Sequence, residues 1–306
     1  MKRYAVIDIG TNSSRLLIAD AENNKIIKKQ KYLMSTRMGQ GVDKNRIINN
    51  DAINRNIEAL VEIKKISEKQ SVEEYIVFGT SALRDAKNGY EFASLLKKTL
   101  GLSIDIIDGQ MEAEYAFLGV GAQYNEENII IMDIGGGSTE IVLGHKGKMM
   151  ETNSINVGSV RMTEKFITSD PPKNEELKCI EDYLEDELQG ISNHSTNDIK
   201  LIAIGGTATT ISSINLNLDK YLPHKIHDSK VTINELNNII NDLISKNNEE
   251  RKKIIGLNPQ RSDVIIAGTI IAKKIMNFLD KKCFYVSDND NLEGALFYHM
   301  KNKKRY

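Results

Sequence analysis

Residues 7–18 read IDIGTNSSRLLI, and residues 132–143 read MDIGGGSTEIVL. Asp, Ile, Gly and Ser recur at one offset: 133 less 8 and 138 less 13 both give 125. Each copy is an apolar strand ending in Asp, a glycine-bearing turn and a second apolar strand. That pattern is a β-hairpin with a polar tip. One such triplet is a chance event. Two with matching flanks, once per half of the chain, point to duplicated domains that face each other. The polar stretch QYNEEN, residues 123–128, lies between the copies and sets the expected domains at 1–124 and 125–306.

Outward from the hairpins, short apolar runs alternate with helical spacing. Residues 4–9, 16–19, 75–78, 104–107, 129–134, 141–143 and 201–204 are rich in Ile, Val and Leu and read as strands, several too uniformly apolar to be half-exposed. Ile53, Ile57, Leu60 and Val61 fall at helical spacing, as do Phe92, Ala93, Leu96 and Leu100 ahead of a Gly101 stop. Further helices are expected at 174–188, 233–245, 261–279 and 291–301, with a loop across 219–230. The alternation predicts an α/β architecture.

The chain has 306 residues, 40% hydrophobic and 27% charged, which suits a globular protein with a sizeable core. Lys plus Arg (41) nearly balances Asp plus Glu (42), a net charge of −1, so no bulk field favours nucleic acid. An anionic ligand must be held by a local site. The apolar run at the N-terminus breaks at Asp8, and no stretch approaches the length of a membrane span. A cytoplasmic protein with no membrane or nucleic-acid partner is expected. Cys179 and Cys283 lack metal-ligand spacing, and the five histidines (His145, His194, His224, His227 and His299) are scattered.

The second hairpin carries the strongest chemical signal. Gly135, Gly136 and Gly137 free backbone N–H groups for close approach to an anion, and Ser138 and Thr139 add hydroxyls. Asp133 and Glu140 flank this turn. Phosphate repels two carboxylates, so a cation between them is the natural solution, and oxygen ligands suit Mg²⁺. At the first hairpin Thr11, Asn12 and Ser13 offer donors, and Asp8 can orient a metal-bound water. Gly205, Gly206 and Thr207 follow a strand and open a helix, where free N–H groups favour an anion. Arg84, just after another strand, can fork onto phosphate oxygens. Glu112 and Glu114 open a helix near Asp108, and by residue chemistry alone either is a candidate acid.

In order along the chain, DIGTNSSRLLI, TSALRDAKN, MEAEYAFLGV, MDIGGGSTE, AIGGTATT, RSDVIIAGTIIAKKIM and SDNDNLEGAL resemble the exopolyphosphatase and guanosine pentaphosphate phosphohydrolase family (Ppx/GppA). The resemblance spans nearly the whole chain. It implies two RNase-H-like domains of the actin, hexokinase and chaperone superfamily with a cleft between them. It implies phosphate contacts from Thr11, Asn12, Ser13, Arg84, Gly136, Gly137 and Ser138, with Gly135 in the same turn. Asp133 and Glu140 match the family's metal- and water-positioning acids, with Asp8 beside them. Glu112, not Glu114, matches its general base. Gly205, Gly206 and Thr207 match an element that contacts adenosine in nucleotide-binding relatives and that here meets only another phosphate. The implied cofactor is Mg²⁺ or another divalent cation such as Mn²⁺. The implied substrate is polyphosphate or guanosine pentaphosphate, and a homodimer is compatible with the resemblance. Longer members carry an additional helical region resembling an HD-type domain. Without it in these 306 residues, short polyphosphates or a pentaphosphate nucleotide are the expected preference. The competing expectations are an acetate- or sugar-kinase-like phosphotransferase and a non-enzymatic actin-like nucleotide switch.

Overall fold

The computed structural model describes residues 1–121, 123–192 and 199–303; His194 lies outside the described residues. The chain forms two compact units, one of Met1–Gly119 with the segment from Asp290 onward, the other of Val120–Asn289.

The first unit holds β1 (Lys2–Ile9), β2 (Ser13–Glu22), β3 (Lys25–Ser35), β4 (Glu74–Gly79) and β5 (Asp105–Ile106), in the order β3-β2-β1-β4-β5. β2 runs antiparallel to both β1 and β3, whereas β4 runs parallel to β1 and β5 parallel to β4. Side chains alternate across a strand, and β1 buries both faces. Ala5, Ile7 and Ile9 pack with Leu60, Ile63, Phe92 and Leu96, from helices Asn50–Lys69 and Gly89–Leu100. Tyr4 and Val6 pack on the opposite face with Tyr115, Leu292 and Leu296, from helices Gly109–Gly121 and Asn291–Lys303. Burial on both sides explains why the sequence shows a continuous apolar run and no alternation. Gly101, in the left-handed region at φ 70°, ends Gly89–Leu100 as its position suggests.

The second unit holds β6 (Asn128–Ile134), β7 (Thr139–His145), β8 (Lys148–Ile155), β9 (Lys200–Ile204), β10 (Lys230–Thr232) and β11 (Cys283–Val286), ordered β10-β11-β9-β6-β7-β8. The run β8-β7-β6-β9-β11 reproduces β3-β2-β1-β4-β5 in order and direction, with β10 added antiparallel at the edge. Duplication seen in twelve residues of sequence therefore extends to two whole sheets of RNase-H-like topology, the architecture of the actin-like superfamily. One core in this unit joins Ile130, Met132 and Ile134 to helices Asn174–Leu188, Ile233–Ile244 and Ile265–Phe278.

Sequence expectation and structure part in several places, including the unexpected strand β11 and a short helix, Pro223–Ile226, inside the expected loop. β3 and β8 are polar edge strands, and β10 begins at the end of a stretch expected to be loop; none has the apolar run that marks a buried strand. The helix Asn291–Lys303, expected with the second half, packs on the first sheet. Leu292, Leu296 and Met300 form its apolar stripe against that sheet, and backbone meets backbone there. A Cβ on Gly294 would strike the Tyr115 carbonyl, and one on Gly119 the Asp290 carbonyl. Among the described residues, no helix is long and apolar enough to cross a membrane.

Candidate active site

Both hairpins close identically. Gly10 N–H donates to the Ser13 carbonyl at 3.1 Å, and Gly135 N–H to the Ser138 carbonyl at 3.0 Å. The segment after the third strand then braces each tip, a loop in the first unit and the first turn of helix Ser159–Phe166 in the second. In the first unit Thr36 and Arg37 amides donate to the Asn12 carbonyl (3.2 and 2.9 Å), and the Gly39 amide to that of Thr11 (2.8 Å). In the second, the Ser159 amide donates to the Gly135 carbonyl (2.9 Å), and Val160 and Arg161 amides to that of Gly136 (2.9 and 3.0 Å). Arg161 Nε adds a bond to the Gly137 carbonyl at 2.7 Å. The tip carbonyls are thereby satisfied from behind. Among the described residues, the amides of Thr11, Asn12, Gly136 and Gly137 donate to no backbone carbonyl. A turn whose acceptors are spent and whose donors are not is an anion site. The first tip adds two buried donors without a hydrogen-bond partner among the described residues, Asn12 Nδ2 and Ser13 Oγ. Buried donors without acceptors are costly unless a ligand supplies them.

The hairpin registers decide where a cation belongs. Asp8 sits directly opposite Arg15, and Asp133 directly opposite Glu140. These are the same positions of the duplicated hairpin, but the first pair has opposite charges and the second like charges. Asp8 Oδ2 accepts from Arg15 Nε (2.9 Å) and Nη2 (2.5 Å). Arg15 Nη1 donates to Asp290 (2.8 Å), which also meets Lys31 (3.3 Å). Burial pushes the Asp8 carboxyl up despite Arg15. Asp290 is equally buried, but Arg15 and Lys31 together hold it below the usual carboxylate range. Asp8 Oδ2 is thus engaged by Arg15 within its own unit, whereas its buried Oδ1 has no hydrogen-bond partner among the described residues. Asp133 and Glu140 are only 6% and 1% exposed. Ser154 Oγ donates to Glu140 Oε1 at 2.8 Å, and a Cβ on Gly205 would lie 2.5 Å from Asp133 Oδ1. Two buried acids facing one another across a strand pair suit a hard cation that takes its remaining ligands from water and phosphate. Among the described residues, no cluster of three or more His, Cys, Asp or Glu side chains could hold a metal on its own.

Glu112 and Glu114 differ in burial and in partners. Glu112 is buried in the first turn of helix Gly109–Gly121, beside Arg84 Nη1 at 3.3 Å; Glu114 is half-buried. Asp108 caps that helix by accepting from the Met111 amide at 2.8 Å. Arg84 Nη1 also donates to the Ile107 carbonyl at 2.9 Å, which holds it beside Glu112. Two predicted donors are engaged elsewhere. Thr207 Oγ1 donates to the Ile134 carbonyl at 2.9 Å, and Thr139 Oγ1 to the Val157 carbonyl at 2.6 Å. Thr207 thus ties its helix to β6. Gly205 and Gly206 keep their place at the N-terminus of helix Gly205–Asn215, beside Asp133. The sequence did not single out Arg261, a buried residue whose guanidinium a Cβ on Gly206 would strike. Nor did it single out Gly158, where a Cβ would strike the backbone of Gly136 and Gly137. Arg261 nevertheless opens the RSDVIIAGTIIAKKIM stretch of the family resemblance, just after the Asn258-Pro259 start of a short 3₁₀ turn.

A family model described as the Ppx/GppA phosphatase family matches residues 5–303, nearly the whole chain and both hairpins. The chain belongs to the Ppx/GppA phosphatase family. It is similar to the bifunctional 3-dehydroquinate synthase/phosphatase of Fusobacterium nucleatum, 38% identical over 98% of this chain and 47% of that protein. The chain thus spans about half of that relative. It is similar to exopolyphosphatase 2 of Mycobacterium tuberculosis, 30% identical over 96% of this chain and 97% of that one. Among solved structures, the Ppx/GppA family member from Aquifex aeolicus superposes with a TM-score of 0.80 at 33% identity, covering 99% of this chain and 98% of that one. Ppx/GppA membership agrees with the duplicated hairpins and the two RNase-H-like sheets.

Proposed function

We propose that this chain is a phosphohydrolase that releases terminal orthophosphate from a polyphosphorylated substrate, either inorganic polyphosphate or guanosine pentaphosphate. The observation that carries the proposal is the like-charged pair Asp133 and Glu140 behind a glycine turn with unspent amides. Such a turn suits an anion and two opposed acids suit a cation, and a metal-complexed phosphate supplies both.

In this mechanism the amides at Thr11, Asn12, Gly136 and Gly137, with Asn12 Nδ2, Ser13 Oγ and Ser138, take phosphate oxygens. Gly205 and Gly206 offer amides at a helix N-terminus. Arg84 neutralises charge on the transferring group, and Glu112 takes the proton of the attacking water. Asp133 and Glu140 hold the divalent cation, Mg²⁺ or Mn²⁺, which when bound offsets charge on the phosphate oxygens. Asp8 supports the first hairpin through Arg15 on its Oδ2, and its Oδ1 is left to orient water beside the cation.

Hydrolysis and phosphoryl transfer are separated by running the reaction in isotopically heavy-oxygen water with no acceptor present. One heavy oxygen in each released orthophosphate supports attack by water. Release only on addition of a hydroxyl or carboxylate acceptor would favour the kinase-like alternative. Thermal stabilisation by ATP alone, with no hydrolysis of either polyphosphate substrate, would favour a nucleotide switch.

A further inference from the structure

Gly39 lies in the loop that braces the first hairpin, with its amide on the Thr11 carbonyl at 2.8 Å. Its φ is outside the left-handed region, so backbone conformation does not call for glycine there. What a side chain would meet is Thr11. A Cβ on Gly39 would run into the Thr11 Cγ2 methyl, and would lie 3.3 Å from Thr11 Cβ and 3.4 Å from its carbonyl oxygen. The other branch of the same side chain, Thr11 Oγ1, is 2.8 Å from Ser81 Oγ, both residues being buried. Thr11 is thus gripped on two sides, its hydroxyl against Ser81 and its methyl against the bare Cα of Gly39. A β-branched side chain has few χ1 wells. Turning the methyl away from a new Cβ therefore also takes Oγ1 off Ser81, at the first residue of the short helix that carries Arg84.

We infer that Gly39 is a positioning residue: its missing side chain fixes the Thr11 rotamer, and through Thr11 and Ser81 it registers the first hairpin tip against the Arg84 turn. The kinetic consequence rests on the phosphohydrolase reading; the steric coupling does not.

Thr11→Ser deletes Cγ2 and keeps the hydroxyl, so it relieves the collision that Gly39→Ala creates. The test compares wild type, Gly39→Ala, Thr11→Ser and the double variant, with folding of all four verified by circular dichroism. In the wild-type background Gly39→Ala should lower kcat/KM for phosphate release from tripolyphosphate by about tenfold or more, mainly through KM. In the Thr11→Ser background the same change should cost less than about threefold. Equal losses in both backgrounds overturn the inference. If wild type releases no phosphate at all, the phosphohydrolase reading falls, and the coupling is read from urea midpoints. There Gly39→Ala must lower the midpoint more with Thr11 than with Ser at that position, and equal lowering overturns it. If Gly39→Ala alone does not fold, recovery of folding in the double variant supports the inference and failure of the double to fold overturns it.

Discussion

Glu140→Gln should stabilise the metal-free protein while removing its turnover. Asp133 and Glu140 are directly opposed on β6 and β7, which sets their Cβ atoms about 5 Å apart. Two ionised carboxylates at that distance would repel by about 3 kcal/mol at an effective dielectric constant of about 20, less whatever their other polar partners offset. The carboxamide keeps the side-chain volume and still accepts from Ser154 Oγ, which donates to Oε1 in the wild type. The variant therefore removes the repulsion without opening a cavity, and about 3 kcal/mol is the ceiling of its gain. At about 2–4 °C per kcal/mol for chains of 150–250 residues, that ceiling is several degrees in Tm. The assay is thermal unfolding in EDTA, then in Mg²⁺ with inorganic phosphate, beside phosphate release from tripolyphosphate. In EDTA the variant should melt above wild type. In Mg²⁺ wild type should gain and the variant should not, because only wild type presents two acids to the cation. A variant less stable than wild type in EDTA, or one that gains as much from Mg²⁺, would refute the assignment of the cation to this hairpin.

Glu112→Gln should lower kcat by about 10²–10⁴, the range of a general base, while polyphosphate binding by calorimetry persists. Gln keeps the volume and an acceptor for Arg84, 3.3 Å away, so the fold should be retained by circular dichroism; turnover within a few-fold of wild type would remove Glu112 from the mechanism. Gly158→Ala drives a Cβ into the backbone of Gly136 and Gly137, which cannot swing aside as a side chain can. A loss of about 1–3 kcal/mol in urea unfolding is expected, with weaker phosphate binding, and an unchanged midpoint would show that the brace gives way freely. At Glu74 burial pushes the carboxyl up, but bonds from Lys2, Lys303 and His299 outweigh it and hold it at about 2, below its ordinary 4.5. Its contribution to stability is then complete above pH 4.5 and lost as pH falls from there toward about 2. Glu74→Gln should flatten the acid limb of urea stability in that window, and superimposable limbs would count against the cluster.

Signals carried by neighbouring residues were legible in the sequence. The hairpin tips, the Gly101 stop, the Asp108 cap and the 174–188 helix all depend on residues within a turn or two of each other. The role of Arg15 was not legible, because it depends on cross-strand register. Closure of the tip by Gly10 and Ser13 places Arg15 opposite Asp8, and only then does the contrast with Asp133 and Glu140 emerge. Gly39 and Gly158 carry no local signal, because the atoms a side chain there would strike belong to distant hairpin residues. Thr207 shows the converse. A hydroxyl after two glycines matches a phosphate donor by type, yet the Ile134 carbonyl claims it. The final helix could not be assigned to a sheet from its own stripe, since Leu292, Leu296 and Met300 would fit any apolar face.

The most direct measurement is orthophosphate release from tripolyphosphate by the purified chain in Mg²⁺ with no acceptor, repeated after chelation. Release that stops with EDTA and returns on adding Mg²⁺ is the expected result. Absence of release from tripolyphosphate, longer polyphosphates and guanosine pentaphosphate alike, with either Mg²⁺ or Mn²⁺, would contradict the assignment of this chain as a metal-assisted phosphohydrolase.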